Sequence, residues 1–325
     1  MKAVIFSKYG TPADLKFTEV ARPTPQDHEV LVEVHAASVN SWDWELLHGT
    51  PFANRLGFGL FRPTKINSLG CDIAGRVVAV GKDVTRFKPS DEVYGDLSAD
   101  GWGGYAEYLR ADAQLLMHKP AGMTFEQAAA IPQAALLAWQ GLHKGGLRSG
   151  QQVLINGAGG GVGSFAMQIA KAQSAEVTGV DSTAKLELVR RLGADHVVDY
   201  TREDFTRDGQ QYDLILDAQA HHSISDYRRS LKPGGSYVIV GGSMTLILTI
   251  MLLGPLLSRF DDKKKMMVLL HKANDGLDVI EALFATGKVV PVIDRIYPLH
   301  EVAQALADFG AGKVKGKYVI RVKDA

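Results

Sequence analysis

Hydrophobic and polar positions change their pattern along this chain at about residue 123. The first part carries apolar runs rich in β-branched residues, EVLVEVHAAS (29–38) and AGRVVAVG (74–81), together with turn-forming sequence such as TRFKPSDEVYG (85–95). This pattern is typical of β-strands. From residue 151 onward, short and continuously apolar runs alternate with helical stretches of about ten residues. The alternation predicts a parallel sheet with helices on both faces.

The second part of the chain supplies the individual elements. Thr124 and Gln127 have the spacing of a capping box and predict a helix through AAAIPQAALLAWQGL (128–142). The predicted strands are QVLI (152–155), EVTGV (176–180), HVVDY (196–200), YDLILDA (212–218) and SYVIVGG (236–242). The predicted helices are VGSFAMQIAKAQ (162–173), AKLELVRRLG (184–193) and SISDYRRSLKPGG (223–235), the last including its stop. After Gly242 the alternation ends, and we expect amphipathic helices in 276–289 and 299–313 and a closing strand in 317–322.

Length and charge narrow the classes of protein that fit. A chain of 325 residues exceeds one compact core, so we expect two domains. Its 36 basic and 36 acidic residues give a formal net charge of zero, which argues against nucleic acid as the main partner. With Cys71 as its single cysteine the chain forms no intramolecular disulfide. The start shows no signal-peptide pattern and the apolar stretch 244–257 is too short to span a bilayer, so we predict a cytoplasmic protein without a membrane span.

The stretch LINGAGGGVGSF (154–165) lies between a predicted strand and a predicted helix. Gly157, Gly160 and Gly163 are spaced three residues apart, close to the spacing of dinucleotide-binding turns. Absent side chains let backbone N–H groups and a helix N-terminus approach a pyrophosphate. A flexible glycine-rich turn is the alternative, but the order of strand, helix and following strand favours a dinucleotide site that also includes Gly161 and Val162.

The choice between the two nicotinamide coenzymes depends on the residues that follow the next predicted strand, 176–180. Asp181 stands 18 residues past Gly163, where a carboxylate accepts hydrogen bonds from an adenosine ribose and repels a 2′-phosphate. Lys185 and Tyr200 favour NADP(H) instead, because both can contact a 2′-phosphate. Taken alone, Lys185 also fits a solvated helix residue and Tyr200 a packing residue. The residues by themselves leave NAD(H) and NADP(H) open.

Five segments resemble the medium-chain dehydrogenase/reductase superfamily, in particular its zinc-independent quinone oxidoreductase (zeta-crystallin-like) group. They are AASVNSWDW (36–44), LGCDIAGRVVAVGKDVTRFKPSDEVYG (69–95), GGYAEY (103–108), INGAGGGVG (155–163) and LGADHVVDYTREDF (192–205). The resemblance implies an α/β fold, with a GroES-like β-rich catalytic domain and a Rossmann doubly wound parallel-sheet domain. We expect the first part of the catalytic domain in 1–122, the Rossmann domain in 123–262 and the return to the catalytic domain in 263–325. The resemblance also implies a homodimer.

The same resemblance bears on the cofactor. In quinone-oxidoreductase relatives a Lys and a Tyr at the positions of Lys185 and Tyr200 grip the 2′-phosphate of NADPH, whereas relatives that prefer NADPH usually carry a neutral residue at the position of Asp181. On this basis NADP(H) is favoured over NAD(H). Ser182 and Gly241 complete the predicted cofactor-binding set.

No metal is predicted. Zinc-dependent members of the superfamily have a Cys at the position of Asn40, a Gly-His-Glu motif where this chain reads Gly70-Cys71-Asp72, and a third ligand near Gln133. Asn40, Cys71 and Gln133 offer one thiol and two neutral amides, which is a poor ligand set for zinc. His221 and His222 are adjacent in sequence and more typical of a loop or a cap than of a metal site.

Without a Lewis acid, reduction of an electron-poor double bond is easier to support than oxidation of an alcohol. The predicted reaction is therefore hydride transfer from NAD(P)H to a quinone or an α,β-unsaturated carbonyl compound. Asn40 is the candidate donor to the oxygen that gains charge, and a loop amide that caps the backbone is its alternative. Asp43 is the candidate that orients Asn40 or relays a proton, and a helix N-cap is its alternative. Trp42, Trp44, Phe52 and 57–61 are candidate walls for a small apolar substrate, or core residues.

Two features leave alternatives open. The segment 244–265 joins an apolar stretch to a charged end and fits a lid over the substrate, a subunit contact, a membrane-surface helix or a buried connecting helix. The sequence DAQAHH (217–222) departs from the Asp-x-Val-Gly of close relatives. This departure supports an alternative to the reductase function: a non-catalytic NADPH-binding redox sensor or a structural, crystallin-like protein.

Overall fold

The computed structural model of the chain describes residues 1–99, 101–260 and 264–324, and for 255–260 the backbone alone. These residues form two compact units. Unit 1 comprises 1–133, 273–275 and 293–325, and unit 2 comprises 134–272 and 276–292. The boundaries expected from the resemblance, at 122/123 and 262/263, stay a prediction, and residue 262 lies outside the described residues.

The elements follow one another along the chain with short connections. The strands are β1 (Lys2–Ile5), β2 (Lys16–Glu19), β3 (Glu29–Ser38), β4 (Asp72–Val80), β5 (Glu92–Asp96), β6 (Tyr108–Asp112), β7 (Met117–His118), β8 (Gln152–Asn156), β9 (Glu176–Asp181), β10 (His196–Asp199), β11 (Tyr212–Asp217), β12 (Leu231–Ile239), β13 (Lys265–Val268), β14 (Ile293–Pro298) and β15 (Lys317–Arg321). The helices are α1 (Ser41–His48), α2 (Phe52–Phe58), α3 (Phe125–Ala130), α4 (Pro132–Gly145), α5 (Gly161–Ala172), α6 (Leu186–Arg191), α7 (Ile224–Arg229), α8 (Met244–Phe260), α9 (Leu277–Ala285) and α10 (Val302–Gly310).

Unit 1 is built on a largely antiparallel sheet. Among the described residues its strands pair in the order β14-β15-β3-β4-β5-β7, and β6 pairs with β3 as well. The long strand β3 is buried at nearly every position, because the sheet and its covering elements enclose it on both faces. The last strand of the chain, β15, pairs antiparallel with β3, with Val319 opposite Ser38. The carboxyl-terminal segment therefore contributes to the same core as residues 1–133.

Unit 2 is a parallel sheet with the strand order β10-β9-β8-β11-β12-β13 among the described residues. Counted from β8, this is the order 3-2-1-4-5-6 of the doubly wound dinucleotide-binding fold. The order reverses between β8 and β11, where the carboxyl ends of the two strands leave a crevice for a ligand. The predicted parallel sheet is thus confirmed, and its switch point lies at the glycine-rich turn that follows β8.

The segment 244–265 forms a helix followed by the start of a strand. In α8, Leu246 and Ile250 are buried, and a side chain at Gly254 would meet the backbone of β13, whereas Leu248 and Leu252 are 51% and 78% exposed. The sixth strand, β13, was not anticipated, because KMMV is preceded by a charged run that conceals a four-residue strand. Residues 261–263 of this segment lie outside the described residues. No helix in the described part of the chain is both long and apolar enough to span a bilayer.

Candidate functional site

The glycine-rich turn is fixed to the neighbouring strand β9. The N–H groups of Gly157 and Ala158 both donate to the carbonyl of Val180, at 2.9 and 3.0 Å. Gly157 has φ of +83°, a conformation that side chains rarely adopt. Gly160 is the N-cap residue of α5 and has an extended conformation with φ of −87°. The chain therefore turns at Gly157 and enters the helix at Gly160.

Gly160 and Gly163 have different roles in this turn. A Cβ atom built on Gly163 would lie 2.1 Å from the carbonyl oxygen of Gly157, so only glycine lets the helix pack this closely. A Cβ atom built on Gly160 would have its nearest neighbour, the same oxygen, at 3.3 Å. This one contact is tighter than a Cβ atom usually makes, but no other atom of the described residues beyond the chain neighbours lies within 4 Å, so a ligand can approach the Gly160 backbone from the remaining directions.

The first turn of α5 presents donors to that space. The N–H groups of Gly161, Val162 and Gly163 have no hydrogen-bond partner within the described part of the chain, as helix geometry dictates for the first turn. Such N–H groups, with the positive end of the helix dipole behind them, bind phosphate. The turn fits the pyrophosphate of a dinucleotide.

Asp181 ends β9 and is 5% exposed. One carboxylate oxygen accepts a hydrogen bond from Gly159 N at 2.7 Å, and the other accepts from Ser182 N at 2.8 Å. The side chain thus holds the glycine-rich turn in addition to the ribose contact predicted from the sequence. The oxygen that Gly159 contacts retains a further lone pair for a hydroxyl donor, whereas the other oxygen also accepts from Ser182 Oγ at 3.4 Å.

Lys185 and Tyr200 lie near Asp181. The Nζ atom of Lys185 is 4.0 Å from a carboxylate oxygen of Asp181, and a Cβ atom on Gly159 would meet the Lys185 side chain at 2.9 Å. The N–H of Tyr200 donates to the carbonyl of Asp181, and its side chain is 52% exposed. The predicted ribose acceptor and both predicted phosphate-binding side chains therefore share one edge of the sheet.

Gly241 lies on the other side of the switch point, with Ala218 O 3.1 Å from where its Cβ would stand.

Next to Gly241 is a buried polar network that the sequence did not reveal. Asp217, at the end of β11, accepts hydrogen bonds from Asn156 Nδ2 at 2.8 Å and from Tyr237 Oη at 2.9 Å. Burial raises the pKa of Asp217, and these donors oppose the rise. The network fixes the ends of β8, β11 and β12 around the crevice.

The candidate catalytic residue Asn40 lies in unit 1 and is 5% exposed. Its amide nitrogen donates to Asp72 Oδ2 at 3.0 Å and approaches Cys71 Sγ at 3.5 Å. Its amide oxygen accepts from Lys317 Nζ at 2.5 Å. Both ends of the amide thus have partners, the weaker one being the thiol.

Asp43 is fully buried and orients the backbone around Asn40. It accepts hydrogen bonds from Asn40 N at 2.8 Å and from Gly70 N at 2.7 Å. Asn40 is the N-cap of α1 and Asp43 is the third helical residue of a capping box, so the N-cap alternative weighed for Asp43 falls to Asn40 instead. Burial raises the pKa of Asp43 to about 6, which its two backbone donors and the hydroxyl of Tyr105 oppose.

The residues around Asn40 do not fit a zinc ion. Cys71 Sγ, Asp72 and Asp96 offer three potential ligand atoms within 4.8 Å of one another. However, Sγ faces N–H donors from Asn40 and Gln133, both at 3.5 Å, and burial raises the pKa of the thiol well above its usual range. Zinc binds thiolates, whereas this sulfur is held as a thiol. In addition, the positively charged Nζ atom of Lys317 lies 3.9 Å from Asp72 Oδ2.

The remaining candidates separate into packed and exposed groups. Trp42 packs against the core of unit 1, and Trp44 lies where a side chain on Gly310 would stand, so core packing accounts for both. Phe52 and Phe61 are 62% and 87% exposed. His221 and His222 lie in the loop before α7, where their N–H groups donate to the hydroxyl of Tyr227, which agrees with the loop role.

Comparison with known proteins agrees with this geometry. The alcohol dehydrogenase GroES-like domain family matches residues 26–121, and a family described as zinc-binding dehydrogenase matches residues 192–320. The 2-methylene-furan-3-one reductase of Solanum lycopersicum is 34% identical over 98% of this chain and 79% of its own length. The solved quinone oxidoreductase of Coxiella burnetii has a TM-score of 0.88 and 29% identity, covering 99% of both chains. The chain belongs to the quinone-oxidoreductase-like medium-chain dehydrogenase/reductases.

A further relative defines the general activity of this reductase family. The NAD(P)H oxidoreductase RTN4IP1, mitochondrial, of Mus musculus is 33% identical over 99% of this chain and 89% of its own length. The protein is therefore an NAD(P)H-dependent oxidoreductase, and the predicted family and fold are confirmed. The mitochondrial name of this relative gives no support to the predicted cytoplasmic location.

Proposed function

We propose that this oxidoreductase reduces quinones or α,β-unsaturated carbonyl compounds by hydride transfer from NADPH, without zinc. The observation that carries the proposal lies at the switch point of the parallel sheet, where Gly160 has a single close neighbour and the first turn of α5 presents three N–H groups without a partner among the described residues. Similarity to proteins named quinone oxidoreductase and 2-methylene-furan-3-one reductase supports the substrate class.

The preference for NADPH rests on Lys185. Its ammonium group is the positive charge beside Asp181, and the half-exposed ring of Tyr200 lies at the same edge of the sheet. A 2′-phosphate would bring negative charge close to Asp181, whose carboxylate is held by two backbone N–H groups. We infer that Lys185 offsets this repulsion and makes a charge-assisted contact to the phosphate.

A bound nicotinamide would supply the hydride, so the task of this chain is to bind, orient and stabilise charge. We assign Asn40 as the donor to the substrate oxygen that gains charge. The hydrogen that it directs at Cys71 Sγ is held only by sulfur, a weak acceptor, and is the one available for this purpose. Asp43 keeps Asn40 in place through the backbone N–H of that residue.

Turnover without metal tests the proposal. Purified protein is treated with EDTA, checked for residual metal, and mixed with NADPH and a panel of small quinones and enones, while the absorbance of the reduced nicotinamide is followed. We expect turnover with at least one class and no effect of EDTA. Stoichiometric zinc that is required for activity would contradict the zinc-free reaction, and binding of NADPH without turnover on any compound would contradict the substrate class.

The cytoplasmic location and the homodimer stay predictions. Fractionation of cells that produce the protein tests the location. Light scattering of the purified chain tests the assembly, and a monomeric mass at working concentration would contradict the dimer.

A further inference from the structure

Lys317 is the first residue of β15 and is 2% exposed. Its Nζ atom lies 2.5 Å from Asn40 Oδ1, 3.1 Å from Val39 O and 3.9 Å from Asp72 Oδ2. All three neighbours are acceptors. An ammonium group has three N–H donors and no lone pair, so it matches these surroundings, whereas a neutral amine would leave a lone pair without a donor.

The side chains that surround this ammonium are rich in negative charge. Asp72 and Asp96 are fully buried and lie opposite each other on β4 and β5. Asp72 also accepts hydrogen bonds from Ser38 Oγ at 3.2 Å and from Gln133 N at 3.1 Å. Two buried carboxylates at close range are accommodated either by protonation of one of them or by a compensating positive charge, and Lys317 supplies such a charge 3.9 Å from Asp72.

We propose that the ammonium of Lys317 is the resident cation of this cluster. It neutralises the charge that would otherwise attract a metal to Cys71, Asp72 and Asp96. It also acts as a positioning residue, because its contact with Asn40 Oδ1 turns the amide nitrogen of Asn40 toward Asp72 and Cys71. This inference concerns the charge of unit 1 and does not depend on which substrate the enzyme reduces.

Replacement of the charged side chain by an uncharged, unbranched one of similar shape tests the proposal. Lys317→Met is titrated with Co²⁺ alone, and the wild-type chain is treated identically. We expect Lys317→Met to bind one Co²⁺ and to show thiolate-to-cobalt charge-transfer absorption, and the wild type to show neither. The band should vanish in Lys317→Met/Cys71→Ser. A wild-type chain that binds Co²⁺ with the same absorption, or a folded Lys317→Met chain that shows none, would overturn the proposal.

A second comparison decides the matter if Lys317→Met does not fold. Asp72→Asn leaves the ammonium without its carboxylate, and Lys317→Met/Asp72→Asn removes both charges together. We expect the double variant to melt at a higher temperature than Asp72→Asn, because a buried unpaired charge is removed. A double variant that melts at a lower temperature than Asp72→Asn would show that the ammonium is not the counter-charge of Asp72.

Discussion

The glycine-rich turn of unit 2 and the polar cluster around Asn40 in unit 1 handle buried polarity in opposite ways. The turn leaves the N–H groups of 161–163 without partners in the part of the chain that the structure describes, and only the Gly157 carbonyl oxygen lies close to where a Gly160 side chain would stand. The cluster directs its donors at its own acceptors, with Lys317 as an internal cation. The turn can therefore bind an anion from solution, whereas the charged groups of the cluster are paired with one another.

Glycine substitutions within the turn should separate folding from binding. Gly163→Val places atoms into the space of the Gly157 carbonyl and should destabilise unit 2 by about 3 kcal/mol or more, with loss of dinucleotide binding. Gly160→Ala adds one methyl group in an allowed conformation and should change stability by less than about 1 kcal/mol. Its affinity for NADPH should still fall, because the methyl group occupies the space of the phosphate.

Thermal unfolding and calorimetric titration with NADPH measure both effects. Gly160→Val extends the series with a larger side chain. Unchanged affinity of folded Gly160→Ala and Gly160→Val for NADPH and NADH would place the phosphate elsewhere.

Glu45 allows a comparison with the carboxylates of the cluster, because it is a partly buried carboxylate of unit 1 that lies outside the cluster. Burial raises its pKa to about 7, opposed by a hydrogen bond from Asn54. Between the ordinary pKa of an unfolded Glu and this value, the folded state binds more protons, so stability falls as pH rises through that window. At pH above about 7 the cost is fully present and reaches up to about 3 kcal/mol.

Glu45→Gln removes this titration. We expect the variant to be more stable than the wild type at alkaline pH and equally stable below about pH 4. Urea unfolding at a series of pH values measures the difference. A difference that stays constant with pH would show that Glu45 is not a buried titrating group.

Lys185 and Asp181 test the claim that the turn selects its ligand by charge. Lys185→Ala should weaken NADPH binding by roughly ten- to a hundredfold and leave NADH nearly unaffected. Asp181→Ser should improve NADPH relative to NADH, with some loss of stability because Gly159 N and Ser182 N lose their acceptor. The measurement is the ratio of kcat/KM for the two coenzymes, and both changes should shrink at high salt.

Lys144 offers a matched control for this experiment. It is an exposed lysine near the end of α4 in the same unit. Lys144→Ala should leave the coenzyme ratio unchanged. If Lys185→Ala also leaves the ratio unchanged while Asp181→Ser abolishes the use of NADH, the carboxylate determines the choice and the enzyme uses NADH.

Ser38→Ala is the mildest test of the cluster. Ser38 is fully buried and donates to Asp72 at 3.2 Å, so the variant should lose about 1 kcal/mol of stability. The affinity for NADPH should stay the same, because the cluster completes itself without the dinucleotide. A change in NADPH affinity at unchanged stability would contradict this separation.

The sequence predicts the turn well because the turn is local. Its strand, its glycines and its helix follow one another within 152–172, and the parallel sheet follows from the alternation of elements. Asp181, Lys185 and Tyr200 could be assigned because Asp181 ends β9, Lys185 directly precedes α6 and Tyr200 directly follows β10. Strand β13 was missed because four residues give too short a pattern beside a charged run.

The cluster around Asn40 could be predicted only in part, because its members are far apart in sequence. Asn40, Cys71 and Gln133 were singled out through the resemblance alone. Lys317 contacts Asn40 across 277 residues, through the pairing of β15 with β3. The sequence shows Lys317 only as a lysine at the first position of an apolar strand. A lysine at this position is equally typical of an exposed strand end.

Transfer of a labelled hydride tests the central claim most directly. Metal-free protein is mixed with NADPH that carries deuterium at the transferring position of the nicotinamide, together with an enone that the enzyme reduces. We expect a product with one deuterium at the β-carbon, and Gly160→Val should slow its formation through weaker binding of NADPH. A reduced product without deuterium, or deuterium transfer that requires added zinc, would contradict the claim that the open turn of unit 2 binds NADPH for direct, metal-free hydride transfer.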